Sequence, residues 1–122
     1  MPSPNWQYHE PAHPGADFDA IAETYDRNMN KHRDVQREIK EILDFLDLKP
    51  NQTILEIGTG TGEFALAAAI QCARVYAVDL SGGMLRYAEK KAASRDIKNV
   101  DFLQGGFLTY EHQGDPVDAV VT

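Results

Sequence analysis

Apolar positions in this chain change their period once. Over residues 17–29, Phe18, Ile21, Ala22, Tyr25 and Met29 recur at helical spacing and share one face. A second stripe of Val35, Ile39, Ile42, Leu43 and Leu46 predicts a helix from about Asp34 to Leu48. Lys31, Arg33, Arg37, Glu38 and Lys40 read as its solvated flank, and Pro50-Asn51 ends it with a turn. From Thr53 onward the pattern shifts to short continuous apolar runs separated by Ala-rich segments. The runs predict strands at 53–57, 74–79, 100–104 and 117–121. Between them, helices are expected from about Gly62 to Gln71 and from Gly82 to Ser94, with Ser81 as an N-cap. Strands apolar on both sides fit a parallel sheet with helices on both faces, joined by right-handed crossovers. The fold class is α/β, with N-terminal helices added.

The first strand carries the most informative run, Thr53-Ile54-Leu55-Glu56-Ile57-Gly58-Thr59-Gly60-Thr61-Gly62. Glycines at alternate positions let the main chain approach a ligand closely. The helix that follows adds unpaired amides and a positive dipole end. A small, partly anionic ligand fits such a turn. The second strand ends on Asp79, where a carboxylate can accept both hydroxyls of a ribose. That makes the ligand a nucleoside. A dinucleotide fingerprint needs glycine at the sixth position from Gly58, and Glu63 stands there. Glu63 would also repel a pyrophosphate. With Glu56 added, two acids around the turn suit a ligand that carries positive charge.

These residues resemble the class I S-adenosylmethionine-dependent methyltransferases. The turn Glu56-x-Gly58-x-Gly60-x-Gly62 with Asp79 at the next strand end carries the likeness. Asp79-Leu80-Ser81-Gly82-Gly83-Met84-Leu85 resembles the family's acid–x–Ser–x–x–Met–Leu step. Phe18-Asp19-x-x-Ala22-x-x-Tyr25-Asp26 is similar to the N-terminal helix of its small-molecule branch, which includes ubiquinone and menaquinone C-methyltransferases. The likeness runs from residue 17 to the end. It implies a Rossmann-like sheet and S-adenosyl-L-methionine as cofactor.

The resemblance also implies roles. Gly58, Gly60 and Gly62 would lie against the methionine and ribose portions, Glu56 near the cofactor's ammonium group, and Asp79 on the ribose diol. Leu80 and Met84 would flank the adenine. Where the family often has Gly–Asp after the third strand, this chain has Gly105-Gly106, so the acid that bonds the adenine amino group is absent. The backbone at Gly106 and Phe107 is left to meet the adenine edge. Tyr25 would cap the cofactor, with Arg27 facing its carboxylate, and Thr122 would stand where the family's loop lines the transfer site. No catalytic base is assigned, and His112 reads as a surface residue of a polar loop.

Composition narrows the partners. At 122 residues with 43% hydrophobic positions, the chain can bury a core. A net charge of −7 works against duplex nucleic acid, which binds by neutralising phosphates with Lys and Arg. No apolar run approaches the roughly 20 residues of a membrane span, and residues 1–16 lack the apolar stretch of a secretory signal. The single Cys72 reads as a buried structural thiol and points to a cytoplasmic location. His9 and His13 are four apart, but Pro11 lies between them and no metal site is expected.

The expected organisation is a Pro-rich segment at 1–16, N-terminal helices at 17–50 and a cofactor-binding half at 53–122. The family's sheet is ordered 3-2-1-4-5-7-6, so this sequence reads as the first part of a longer protein, truncated after the fourth strand. That strand would be an open apolar edge prone to self-association. The leading function is methyl transfer to a small-molecule acceptor. Alternatives are an NAD-dependent dehydrogenase and a non-catalytic nucleoside-binding or assembly module.

Overall fold

The computed structural model describes residues 18–32 and 34–122. The Pro-rich segment, with His9 and His13, and Arg33 lie outside the described residues. In chain order the elements are α1 (Phe18–His32), α2 (Val35–Leu46), β1 (Thr53–Ile57), α3 (Glu63–Ala69), β2 (Arg74–Asp79), α4 (Gly82–Ser94), β3 (Val100–Gln104) and β4 (Ala119–Val121). All four strands are parallel, in the order β3-β2-β1-β4. This is the sheet order that the resemblance implies for the first four strands.

Local chemistry explains the boundaries. Asp34 caps α2 by accepting the Arg37 N–H at 3.0 Å, and Asp47 closes it in the left-handed region, its N–H on the Leu43 carbonyl. Ile39 and Leu43 are the residues α2 buries. Ser81 caps α4 as expected, accepting the Met84 N–H at 3.2 Å. Helix α3 ends at Ala69, two residues short of the expected Gln71. Its Ala65, Ala68 and Ala69 are almost fully buried, so the helix axis lies close to the sheet. Strand β4 begins at Ala119 rather than 117. Asp118 sits just before it and both donates its N–H to the Thr53 carbonyl and accepts the Thr53 N–H on its side chain, each at 2.8 Å.

The two faces of the sheet are covered differently. Ile54, Val75 and Val100 are in register, as are Glu56, Ala77 and Phe102, and this face meets the helices. Both β1–α3–β2 and β2–α4–β3 step in the same direction, so right-handed crossovers place α3 and α4 on one side. The expected helical cover is therefore seen on that side. On the other, residues 105–118 roof Tyr76 and Val78. His112 packs edge-on against Tyr76 with ring centroids 4.8 Å apart, and the position of a Gly105 Cβ is 3.5 Å from Val78. His112, expected as a surface residue of a polar loop, is half-buried and staples this segment. Its Nε2–H donates to the Asp115 carbonyl at 2.7 Å, which leaves Nδ1 to accept the Tyr110 hydroxyl at 2.8 Å.

Cys72 is 7% exposed, and burial pushes its thiol up from the ordinary range. No helix among the described residues is long and apolar enough to cross a membrane.

Two glycines of the turn separate packing from ligand space. Gly62 has φ 83° and a Cβ there would meet the Ala88 Cβ at 2.9 Å, whereas a Cβ on Gly58, at φ 84°, meets nothing within 4 Å. Gly62→Ala should cost roughly 2–4 kcal/mol, combining left-handed strain with overpacking. Gly58→Ala should cost only about 1–2 kcal/mol, from strain alone. Urea unfolding of the two variants checks the order.

Candidate functional site

In an open parallel sheet, ligands sit beyond the carboxyl ends of the strands where the order reverses. Here that point lies between β1 and β4, with β1 running into the Gly58–Gly62 turn. Gly58 and Thr59 both donate their N–H to the Val78 carbonyl, at 2.7 and 2.9 Å, which pins the turn to the end of β2. Asp79 completes the clamp. Its Oδ2 accepts the Gly60 N–H at 2.8 Å and its Oδ1 accepts the Ser81 N–H at 2.9 Å. Each carboxylate oxygen keeps a further lone pair for a ligand hydroxyl.

The turn is a ridge between two clefts. One, of about 400 Å³, is lined by Ile57, Gly58, Asp79, Leu80, Gly106, Phe107 and Thr122, with Gly105 beside them. The other, of about 260 Å³, is lined by Tyr25, Asp26 and Met29 of α1, by Glu56, and by the turn from Gly58 to Thr61. Gly58 belongs to both. A larger cavity of about 1040 Å³ lies away from the turn, between β3, α4 and the segment around His112.

Most residues singled out from the sequence therefore meet around the ridge, and three stand apart. Gly62 is buried against Ala88 of α4 and lines neither cleft; it permits close approach of two helices. Met84 is half-buried in the first turn of α4 and also lines neither. Leu80 is 40% exposed and its side chain lies where a Gly106 Cβ would fall, so a side chain at Gly106 would displace the tip of Leu80. The Gly106 N–H is taken by the Thr109 hydroxyl at 2.9 Å. Arg27 is exposed and lines neither cleft.

Glu56 is 8% exposed. Burial pushes its carboxyl up to about 7; the Thr59 hydroxyl, donating at 2.5 Å, opposes the rise, and the charge of Asp79 adds to it. Among the described residues no cation compensates this buried acid beside the turn.

Sequence reading missed a second polar cluster. Lys91 of α4 reaches Asp26 at 2.9 Å and Glu63 at 2.5 Å, and Arg95 joins Glu63 at 3.2 Å. Asp26 also accepts the hydroxyl of Thr61, which is 4% exposed. Burial alone would raise the Glu63 carboxyl, but Lys91 and then Arg95 outweigh it and hold it below the ordinary range. Glu63 is thus neutralised, and repulsion of a pyrophosphate is weaker than expected from the sequence. The absent sixth-position glycine remains. Asp26 had a signal in its motif next to Tyr25. Lys91 had none, since Lys90-Lys91 reads as solvated helix surface.

Residues 54–122, more than half of the chain, match the methyltransferase domain family. The chain belongs to that family. A demethylmenaquinone methyltransferase of Bacillus mycoides is 29% identical over 109 residues, covering 84% of this chain and 46% of the relative. A ribosomal RNA small subunit methyltransferase A of Dichelobacter nodosus is 38% identical over 74 residues, 54% of this chain and 28% of its own. For a release factor glutamine methyltransferase of Aliivibrio fischeri the figures are 36% over 92 residues, 73% and 32%. The chain spans about half the length, or less, of these relatives.

Among solved structures, a SAM dependent methyltransferase from Aquifex aeolicus aligns with a TM-score of 0.60 and 27% identity over 67% of this chain and 45% of its own. A Streptococcus mutans protein in complex with SAH (S-adenosylhomocysteine) gives 0.58 and 25%, over 67% and 48%. The family's cofactor is S-adenosylmethionine, and the residues present fit it. The ridge leaves open space where Gly58 and Gly60 lack a Cβ, Asp79 is held ready for a diol, and Glu56 stands in the other cleft.

Linkage makes Glu56 measurable in the free protein. Folded Glu56 keeps its proton up to about pH 7, while an unfolded glutamate loses it near ~4.3. The unfolded state binds fewer protons between those values, so this contribution to stability is full below the window. It is lost as pH rises through about 7, by roughly 3 kcal/mol. Glu56→Gln should remove that loss. Urea unfolding at pH 5 and pH 8 should show a smaller drop in the variant than in the wild type.

Proposed function

We propose that this protein transfers a methyl group from S-adenosylmethionine to a small-molecule acceptor, with residues 53–122 forming the cofactor-binding half. The observation that carries the reading is Asp79, fixed by two backbone N–H groups in the wall of the cleft with Leu80 and Gly106. The adenosine portion belongs in the cleft of Leu80, Gly106, Phe107 and Thr122. The methionine portion belongs with Tyr25 and Glu56. Bound there, the cofactor supplies an electrophilic methyl on a sulfonium. The chain's own residues bind and align it and keep water away, which is where the rate of such a transfer comes from.

The three relatives differ in what their names say they act on: demethylmenaquinone, ribosomal RNA, and a release factor glutamine. A small acceptor is supported here by the net charge of −7 and by the Phe18–Asp26 motif of α1. The single buried cysteine supports a cytoplasmic setting. Self-association is supported by β4, whose only strand partner among the described residues is β1 and whose Val120 is 56% exposed.

Two experiments test these readings. Asp79→Asn keeps the shape of the side chain but loses the charge and one acceptor, so S-adenosylhomocysteine should bind about 10- to 100-fold more weakly by calorimetry. Unchanged affinity would sink the assignment. Light scattering across a dilution series should show a mass that falls with dilution. Val120→Lys should give monomer throughout.

A further inference from the structure

Lys91 is buried to 14% side-chain exposure and joins three separate elements: Asp26 on α1, Glu63 at the start of α3, and its own α4. Asp26 and Glu63 are themselves only 17% and 19% exposed. Two half-hidden carboxylates share one ammonium, with the half-exposed Arg95 on the outer side of Glu63 and the Tyr87 ring 5.2 Å from Nζ. Asp26 then passes the linkage on to the buried Thr61 hydroxyl inside the glycine turn, and Gln36 of α2 reaches Glu63 at 3.4 Å. Lys91 lines neither cleft, yet α1 and α3, the two elements it ties to α4, both contribute to the one that holds Tyr25, Asp26, Met29 and Glu56.

Without Lys91, Asp26 would lose its cation in a poorly hydrated site while Glu63 kept only the half-exposed Arg95. Repulsion would push α1 away from α3 and α4 and release the Thr61 hydroxyl. Among the described residues the adenosine-side cleft has no wall from α1. The two clefts therefore respond differently to the same break.

We propose that Lys91 is a positioning residue: through Asp26 and Thr61 it holds α1 closed over the methionine-side cleft and sets how tightly that portion of the cofactor is gripped. This rests on the cofactor reading above. The grip is selective. It belongs to the amino-acid end of the ligand and leaves the nucleoside end untouched.

The test compares S-adenosylhomocysteine with adenosine, titrated into wild type and Lys91→Met. The variant should bind S-adenosylhomocysteine about tenfold more weakly while its adenosine affinity stays within about twofold. Amide hydrogen exchange in the ligand-free variant should rise in α1 and remain unchanged in β1 and β2. Against an Asp26→Asn background the Lys91→Met loss should shrink, because the two side chains act as one unit. Equal loss for both ligands would mean general loosening and would overturn the proposal, as would unchanged α1 exchange. Should Lys91→Met fail to fold, Asp26→Asn alone carries the same two-ligand comparison. If wild type binds neither ligand, the cofactor reading fails, and α1 exchange in the free protein alone decides whether Lys91 holds the helix.

Discussion

One carboxylate organises the strand ends. Asp79 is the last residue of β2, and its two oxygens take one N–H from the turn after β1 and one from the entrance to α4. An ionised acceptor makes both bonds stronger than a neutral one would. The turn cannot shift without leaving a charge unsatisfied, so the open space over Gly58 and Gly60 has a fixed position relative to β2 and α4. Both clefts inherit their shape from this clamp.

Much of this was legible in the sequence, for a physical reason. The central strands β1 and β2 are buried on both sides, so their apolar runs are continuous, and the helices between the strands are small-sided where they touch the sheet. Ser81 and Asp34 announce helix starts through capping chemistry that acts over three residues. The glycine turn and Asp79 are likewise local signals. Boundaries slipped where a tertiary contact decided them, as at β4, where the Asp118 carboxylate meets the Thr53 N–H and the ladder starts two residues later than the apolar pattern suggests.

What the pattern could not show was pairing across distance. Gly62 looks like its neighbours Gly58 and Gly60 in a string of alternating glycines. Only the arrival of Ala88 from α4 turns it into a packing position. Lys91 looks like Lys90, and only the fold brings it between Asp26 and Glu63. The same limit applies to Glu56 and Glu63. Both are acids flanking one turn, yet Glu63 has cations beside it and Glu56 has none among the described residues, so their carboxyls move in opposite directions.

The ridge made by Gly58, shared between two clefts, has a consequence for how a ligand is held. A molecule lying across it touches two independent pockets joined by its own covalent frame, which makes the single ligand bivalent. Once one end is seated, the other is presented to its pocket at high effective concentration, and its affinity no longer depends on the bulk supply of that fragment. Departure then needs both ends to let go together. A ligand cut at the ridge would lose that advantage even if every contact survived.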